Sequence, residues 1–474
     1  MIDIYDPQLN FAPLGEQMYQ LVETLYPICR SITGPGVRET MAHIQKLLPI
    51  TVNEVPTGTA VFDWEVPKEW AIHDAYVKNS QGERVIDFKK SNLHVLNYST
   101  PVNQHMTLAE LRPHLTTLPE QPDWIPYRTT YYQEKWGFCL SQNHLNALPE
   151  GDYEVVIDST LQNGSLTYGE YVIEGESADE VLISCHTCHP SLCNDNLSGI
   201  ALATYLARHI EQIKAAGGKP HYTYRFLFIP GTIGSITWLA LNEAKAKNIK
   251  HGLVVVCVGD AGKFSYKTSR QGDALVDRAA KHVLTSEKES FNLIEFFPYG
   301  YDERQYCSPG FNLAVGSLSR STHGKFAEYH SSADDLSFVS GKQIAESLEV
   351  YMKVLDVLEN DQILLNQNPK CEPRLGKRGL YGSVGATIHR PTFEMALLWT
   401  LNLTDGLHSL LDIAQRAKMP FETIKQAAQA LQACDLLKKP EKPLGTCSTG
   451  VINGCSRRIY SLSCYIIYSK KKLT

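Results

Sequence analysis

From about Asp152 to Leu358, short apolar β-prone runs alternate with amphipathic stretches of helical period. Strands are expected at Tyr153–Ile157, Leu166–Ile173, Glu180–Cys185, Tyr222–Ile229 and Leu253–Val258. Helices are expected at Leu197–Ile213, Ile236–Ala246, Ala274–Leu284 and Gly341–Leu358. Such an order restricts this part of the chain to α/β architecture, a mostly parallel sheet wrapped by helices. Ligands of such sheets collect beyond the carboxyl ends of the strands.

The 474 residues exceed one ordinary core, so further domains are expected. Residues 1–55 read as two helices around the turn Ser31-Ile32-Thr33-Gly34-Pro35-Gly36 and are assigned to the larger domain. Residues 56–148 carry short β-prone pieces among Pro, Asn, Gly and aromatics, the pattern of a small inserted β-rich domain. Residues 149–370 form the main part of the α/β domain. After a connector near Pro369–Gly385, helices at Phe393–Leu403, Ser409–Arg416 and Pro420–Leu431, with a short wing at Leu436–Lys439, give a winged helix-turn-helix over 386–445. Residues 446–474 read as a tail.

Composition excludes some roles. A net charge of -6 argues against a polyanion binder, and no apolar run approaches the ~20 residues of a membrane span. The 12 cysteines are irregularly spaced, and the amino terminus has neither the basic nor the apolar region of a signal peptide. Reduced thiols and a cytoplasmic location are the expectation. The expected recognition helix Pro420–Leu431 holds Lys425 as its one cation, so protein contact or homo-oligomerisation is expected of the winged helix rather than DNA binding.

The chemistry concentrates at residues 184–199, Ser-Cys-His-Thr-Cys-His-Pro-Ser-Leu-Cys-Asn-Asp-Asn-Leu-Ser-Gly, which join a strand end to a helix start. His186, His189 and Asp195 then share one corner, within reach of a common metal ion. A carboxylate at a helix start is favoured by the helix dipole and can bridge two cations, although a plain N-cap uses the same residue type. His330, in Tyr329-His330-Ser331, lies just before the last long helix of the α/β domain.

His186…Asp195-Asn196-Leu197-Ser198-Gly199 and Tyr329-His330-Ser331-x-x-Asp334 are similar to the motifs of zinc-dependent co-catalytic aminopeptidases, whose fold is a three-layer α/β/α domain. More closely, the chain resembles a bacterial group of aminopeptidase-like proteins with an inserted β-rich domain and a C-terminal winged helix, often labelled polysaccharide-biosynthesis associated. Phe62-Asp63-Trp64-Glu65-Val66-Pro67, Glu134-Lys135-Trp136-Gly137-Phe138-Cys139, Pro230-Gly231-Thr232-Ile233-Gly234-Ser235 and Asp302-Glu303-Arg304-Gln305-Tyr306-Cys307 carry that resemblance, over about residues 15–440. It implies one or two zinc ions, with His186 on the first, Asp195 bridging, His330 on the second, and Asp260 as a further carboxylate. It implies hydrolysis of a peptide or amide bond, in a small peptide, a modified sugar or a cell-envelope precursor.

Two departures stand out. Cys188 occupies the place where the aminopeptidases carry an aspartate two residues after the first histidine. Pro230–Ser235 occupies the place of their Glu-Glu pair and contains no carboxylate. His189 is then the substitute ligand, and Glu303, Glu328 and Glu134 are the candidate bases. Lys267, Arg270, Arg304 and Tyr306 are candidate substrate contacts. The missing pair also leaves open a non-catalytic metal- or ligand-binding protein on a degenerate peptidase scaffold. A ligand-sensing transcriptional regulator is a third reading.

Overall fold

The computed structural model describes residues 1–288, 290–380 and 390–440. Among them an eight-stranded sheet runs in the order Thr51–Pro56, Ser165–Ile173, Thr223–Ile229, Glu180–His186, Ile249–Val255, Val315–Ser319, Ser265–Lys267, Asn292–Ile294. The middle four strands, Thr223–Ile229 to Val315–Ser319, are parallel, with antiparallel pairings on both flanks. Thr223–Ile229 and Glu180–His186 are buried at every position, as strands covered on both faces must be.

Helices Ala12–Leu25, Ser198–Ala215, Leu275–Glu287 and Gly341–Asn360 pack over one face of the sheet. Ile233–Leu241 and the inserted region cover the other, completing three layers. The first and last of the long helices cross very closely. A Cβ on Gly15 would stand 2.4 Å from the carbonyl oxygen of Gly341, so the crossing requires glycine.

A separate antiparallel sheet joins Arg84–Asp87, Glu69–Lys78, Asp152–Gln162 and Val102–Thr107. Tyr153–Ile157, which the sequence assigns to the larger sheet, pairs here instead. The reason is visible in its burial: Tyr153, Val155 and Ile157 are buried and their neighbours are not, the mark of a strand with one wet face.

The winged helix comprises Arg390–Leu403, Leu410–Ala417 and Phe421–Ala433. Its sheet takes Ile363–Asn366, from ahead of the connector, between Asp405–Ser409 and Leu437–Lys438. Residues 381–389, spanning the end of the connector and the first residues expected of the winged helix, and 441–474, its last expected residues and the tail, lie outside the described residues. No helix among those described is long and apolar enough to cross a membrane.

Lys425, the one cation of Phe421–Ala433, is not a surface charge. It is 1 % exposed, and its Nζ lies 2.7 Å from Asp356 of Gly341–Asn360, 3.0 Å from Asp3 and 2.8 Å from Glu422. The single cation of that helix therefore ties the winged helix to the α/β domain and is withdrawn from any phosphate. Lys425→Met should strand the buried Asp356 carboxylate and cost about 3–5 kcal/mol, read as a lowered urea midpoint. An unchanged midpoint would remove Lys425 as a structural tie.

Candidate metal centre

Strand Glu180–His186 delivers His186 to the carboxyl edge of the sheet, and helix Ser198–Ala215 begins twelve residues later along the same corner. The corner is fixed from several sides. Buried Arg30 donates from Nε to the His189 carbonyl, at 2.9 Å. Asp334 accepts the backbone N–H groups of Asn194 and Asp195 at 2.6 and 3.0 Å. Asn196 donates to the Val255 carbonyl at 2.9 Å, and a Cβ on Gly199 would collide with its side chain at 2.2 Å. The Asp195 carboxylate is thus aimed by backbone rather than by its own rotamer freedom.

Both Asp195 oxygens face imidazoles. Oδ1 is 2.8 Å from His186 Nε2, while Oδ2 is 3.1 Å from His330 Nε2 and 3.9 Å from His189 Nε2. His189 Nε2 and His330 Nε2 are 3.2 Å apart. A tetrahedral ion with 2.0–2.1 Å bonds separates its donors by about 3.3 Å, so His189, His330 and Asp195 Oδ2 are spaced as three ligands of one ion. Asp195 Oδ1 and His186 lie on the other side of the same carboxylate, the disposition of a bridge. The structure thus brings together His186, His189, Asp195 and His330.

The electrostatics suit a cation. Burial opposes charge on Asp195, yet the charge of His186 and the hydrogen bonds from His186 and His330 hold its carboxyl well below the usual range. Burial keeps the His189 ring neutral and its pKa well below normal, leaving a lone pair free. For His186 burial also opposes charge, but Asp195 beside it outweighs that and lifts the pKa to about 10. A metal entering here must displace that proton.

The remaining sequence candidates lie elsewhere. Asp260 accepts from Asn194 Nδ2 at 3.1 Å, from the Gly262 N–H at 2.8 Å, and from both the N–H and Oγ of Ser321, so it is saturated and organises a loop. Tyr306 is fully buried, with its hydroxyl 2.9 Å from Ser184 Oγ, and is a core residue rather than a substrate contact. Glu134 is 72 % exposed and pairs with Lys68. Glu303 is buried against Lys267, at 2.9 Å. Charge pairing thus takes both carboxylates away from the histidines. Glu328 is half-buried beside Tyr329, its carbonyl rather than its carboxylate accepting from Ser331. Arg270 bonds exposed Asn312 at 2.7 Å, and the Arg304 guanidinium stands 5.7 Å from the Tyr299 ring.

The site also contains residues given no role in the sequence analysis. Tyr127, from the inserted region, packs on His189 and His330 with centroids 5.0 and 5.1 Å away, and its N–H donates to the His330 carbonyl at 2.8 Å. Tyr301 stacks on His186 at 5.4 Å. Cys188 Sγ sits 3.3 Å from His189 Nδ1 and 3.9 Å from His186 Nδ1, behind both rings, and so turns their Nε2 atoms toward Asp195. Its place two residues after His186 was the available signal.

Asp302 is the fourth. It is 1 % exposed; Oδ1 accepts from Ser235 Oγ at 2.8 Å, and Oδ2 has no hydrogen-bond partner among the described residues. A Cβ on Gly231 would lie 3.1 Å from His186 Cβ and 3.3 Å from Asp302 Oδ2, so that glycine lets the two close in. A carboxylate from another segment therefore stands against the turn Pro230–Ser235 that lacks its own. Burial raises its pKa to about 6, against the opposing pull of His186.

The three-layer α/β/α sheet is a fold shared with zinc aminopeptidases. The zinc aminopeptidase BSAP of Bacillus subtilis superposes with a TM-score of 0.53 at 12 % identity, over 73 % of this chain and 95 % of that one, a likeness of fold. Residues 19–361 match the family described as Domain of unknown function (DUF4910), to which this chain belongs, and residues 362–439 match a winged helix-turn-helix family. A Clostridium acetobutylicum protein, described as a candidate polysaccharide biosynthesis protein with aminopeptidase-like domain, is 54 % identical over 429 residues, 90 % of this chain and 98 % of its own. The crystal structure of a candidate peptidase from Clostridium acetobutylicum, 53 % identical, gives a TM-score of 0.85 over 90 % of this chain and 97 % of that one.

Proposed function

We propose that this protein is a zinc-dependent hydrolase of a peptide or amide bond in a small substrate. The observation that carries the reading is the convergence of His186, His189 and His330 on the two oxygens of buried Asp195. These four residues hold the metal, which when bound polarises a carbonyl and acidifies water.

The chain's own groups supply the rest. Asp302, buried with one free oxygen beside His186, accepts the proton of the attacking water and passes it to the leaving amine. Tyr127, pressed on two of the histidines, excludes water from that side. Burial first, and Tyr131 next, hold its phenol well above 10, so it remains a neutral donor. With Lys425 buried, the winged helix is assigned to contact between copies of the chain.

Amine release from a panel of aminoacyl and acyl amides tests this directly. Turnover should vanish after chelation and return with zinc; turnover indifferent to chelation contradicts the reading. The carboxylate-free turn Pro230–Ser235 favours one alternative, a metal-binding scaffold without turnover. Stoichiometric zinc with no release from any amide would establish it.

A further inference from the structure

Beside the metal centre a cavity of about 510 Å³ opens, within the ~300–1,000 Å³ range of small-molecule sites. A larger one, about 630 Å³, lies between the amino terminus and the winged helix and is lined by none of the four residues His186, His189, Asp195 and His330. The smaller cavity adjoins the chemistry through Tyr301, which lines it and also stacks on His186, and through His323, 5.0 Å from Tyr301.

Its floor is one face of three paired strands. Ser265 pairs with Ser319 and Asn292, and Lys267 pairs with Ser317 and Ile294. Residues two apart in a strand share a face, so Ser265, Lys267, Ser317 and Ser319 form one polar patch where a sheet is ordinarily covered by apolar side chains. All four are buried.

This patch offers donors and acceptors together. Lys267 Nζ spends two of its three N–H groups on the Tyr299 carbonyl (2.6 Å) and Glu303 Oε1 (2.9 Å). Glu303 is fully buried and lines the cavity, and its Oε2 has no hydrogen-bond partner among the described residues. An unsatisfied buried carboxylate oxygen is costly, and a ligand hydroxyl satisfies it. Exposed Phe297 presents a ring at the wall. Lys263 and Lys325 stand exposed at the mouth, and with Lys267 they outnumber the single acid, Glu303.

We propose that this cavity binds an anionic sugar, a sugar acid or sugar phosphate, as the recognition element of the substrate. Hydroxyls of the ring meet Glu303 Oε2 and the serines, the anionic group meets the lysines, and an apolar ring face lies on Phe297. A ligand that is only an anion leaves Glu303 unexplained, and a neutral sugar leaves the lysines unexplained. The assignment deepens the hydrolase reading by placing this group within reach of the metal centre.

The test is calorimetric titration of the full chain with D-glucuronate and with glucose 6-phosphate, beside glucose and L-glutamate as comparators. At least one anionic sugar should bind at millimolar concentration, about tenfold or more tighter than glucose and glutamate. Which one binds distinguishes carboxylate from phosphate. Ser319→Val, which keeps a strand-compatible residue, and Lys325→Glu, on the surface, should each weaken that binding several-fold. Glutamate or glucose binding as tightly, no binding of either anionic sugar, or indifference to both substitutions overturns the proposal. Titration of Asp195→Ala separates the two readings: sugar binding should persist there whether or not the wild-type protein hydrolyses amides.

Discussion

Asp195→Ala should abolish zinc binding and amide hydrolysis together. One buried carboxylate faces three imidazoles, at 2.8, 3.1 and 3.9 Å, and supplies the negative charge of the cluster. Without it His186, His189 and His330 remain close, with no carboxylate oxygen between them. Even outer-shell partners of metal ligands are worth about 10–100-fold in affinity, so loss of a bridging ligand should exceed 100-fold. Zinc content after dialysis measures it, with circular dichroism confirming that the variant folds. A variant that retains zinc at wild-type stoichiometry refutes the role given to Asp195.

Asp302→Asn carries the second large effect. The amide keeps a partner for Ser235 and removes only the basic oxygen. Loss of general-base action should lower kcat by about 10²–10⁴-fold while zinc content stays unchanged. The pH profile gives an independent check. Burial raises the Asp302 pKa to about 6, and a base works only when ionised, so kcat should be low in acid and reach its plateau above that point. A bound cation lowers the value, which places the acidic limb at or below about pH 6. An unaltered kcat in Asp302→Asn returns the role of base to Glu328.

The sequence pointed to the corner at His186 and Asp195 because its signals are local. His186 ends an apolar strand, Asp195 starts a helix, and both facts can be read from neighbouring residues. His330, remote in sequence, was legible through the resemblance to the aminopeptidases. Asp302 was not legible in this way, since an aspartate before a short helix looks like an ordinary cap. Its burial, its bond to Ser235 and its approach to Gly231 appear only once the chain is packed.

The same distinction runs through the fold. Long elements such as Gly341–Asn360 and Thr223–Ile229 carry strong apolar periods and were expected within a few residues of their bounds. Ser265–Lys267 and Val315–Ser319 were not anticipated, because their serines and lysine face a cavity and interrupt the apolar pattern. The burial of Lys425 was equally hidden in the sequence. A lone lysine on a helix reads as a solvated cation, and the three carboxylates that bury it come from both ends of the α/β domain and from its own helix.

The most direct test of the account is anomalous diffraction at the zinc edge from crystals grown with zinc. The account predicts a peak bounded by His189 Nε2, His330 Nε2 and Asp195 Oδ2, with any second ion on the His186 side of the same carboxylate. Absence of a peak at this corner, or zinc held elsewhere in the chain, contradicts it.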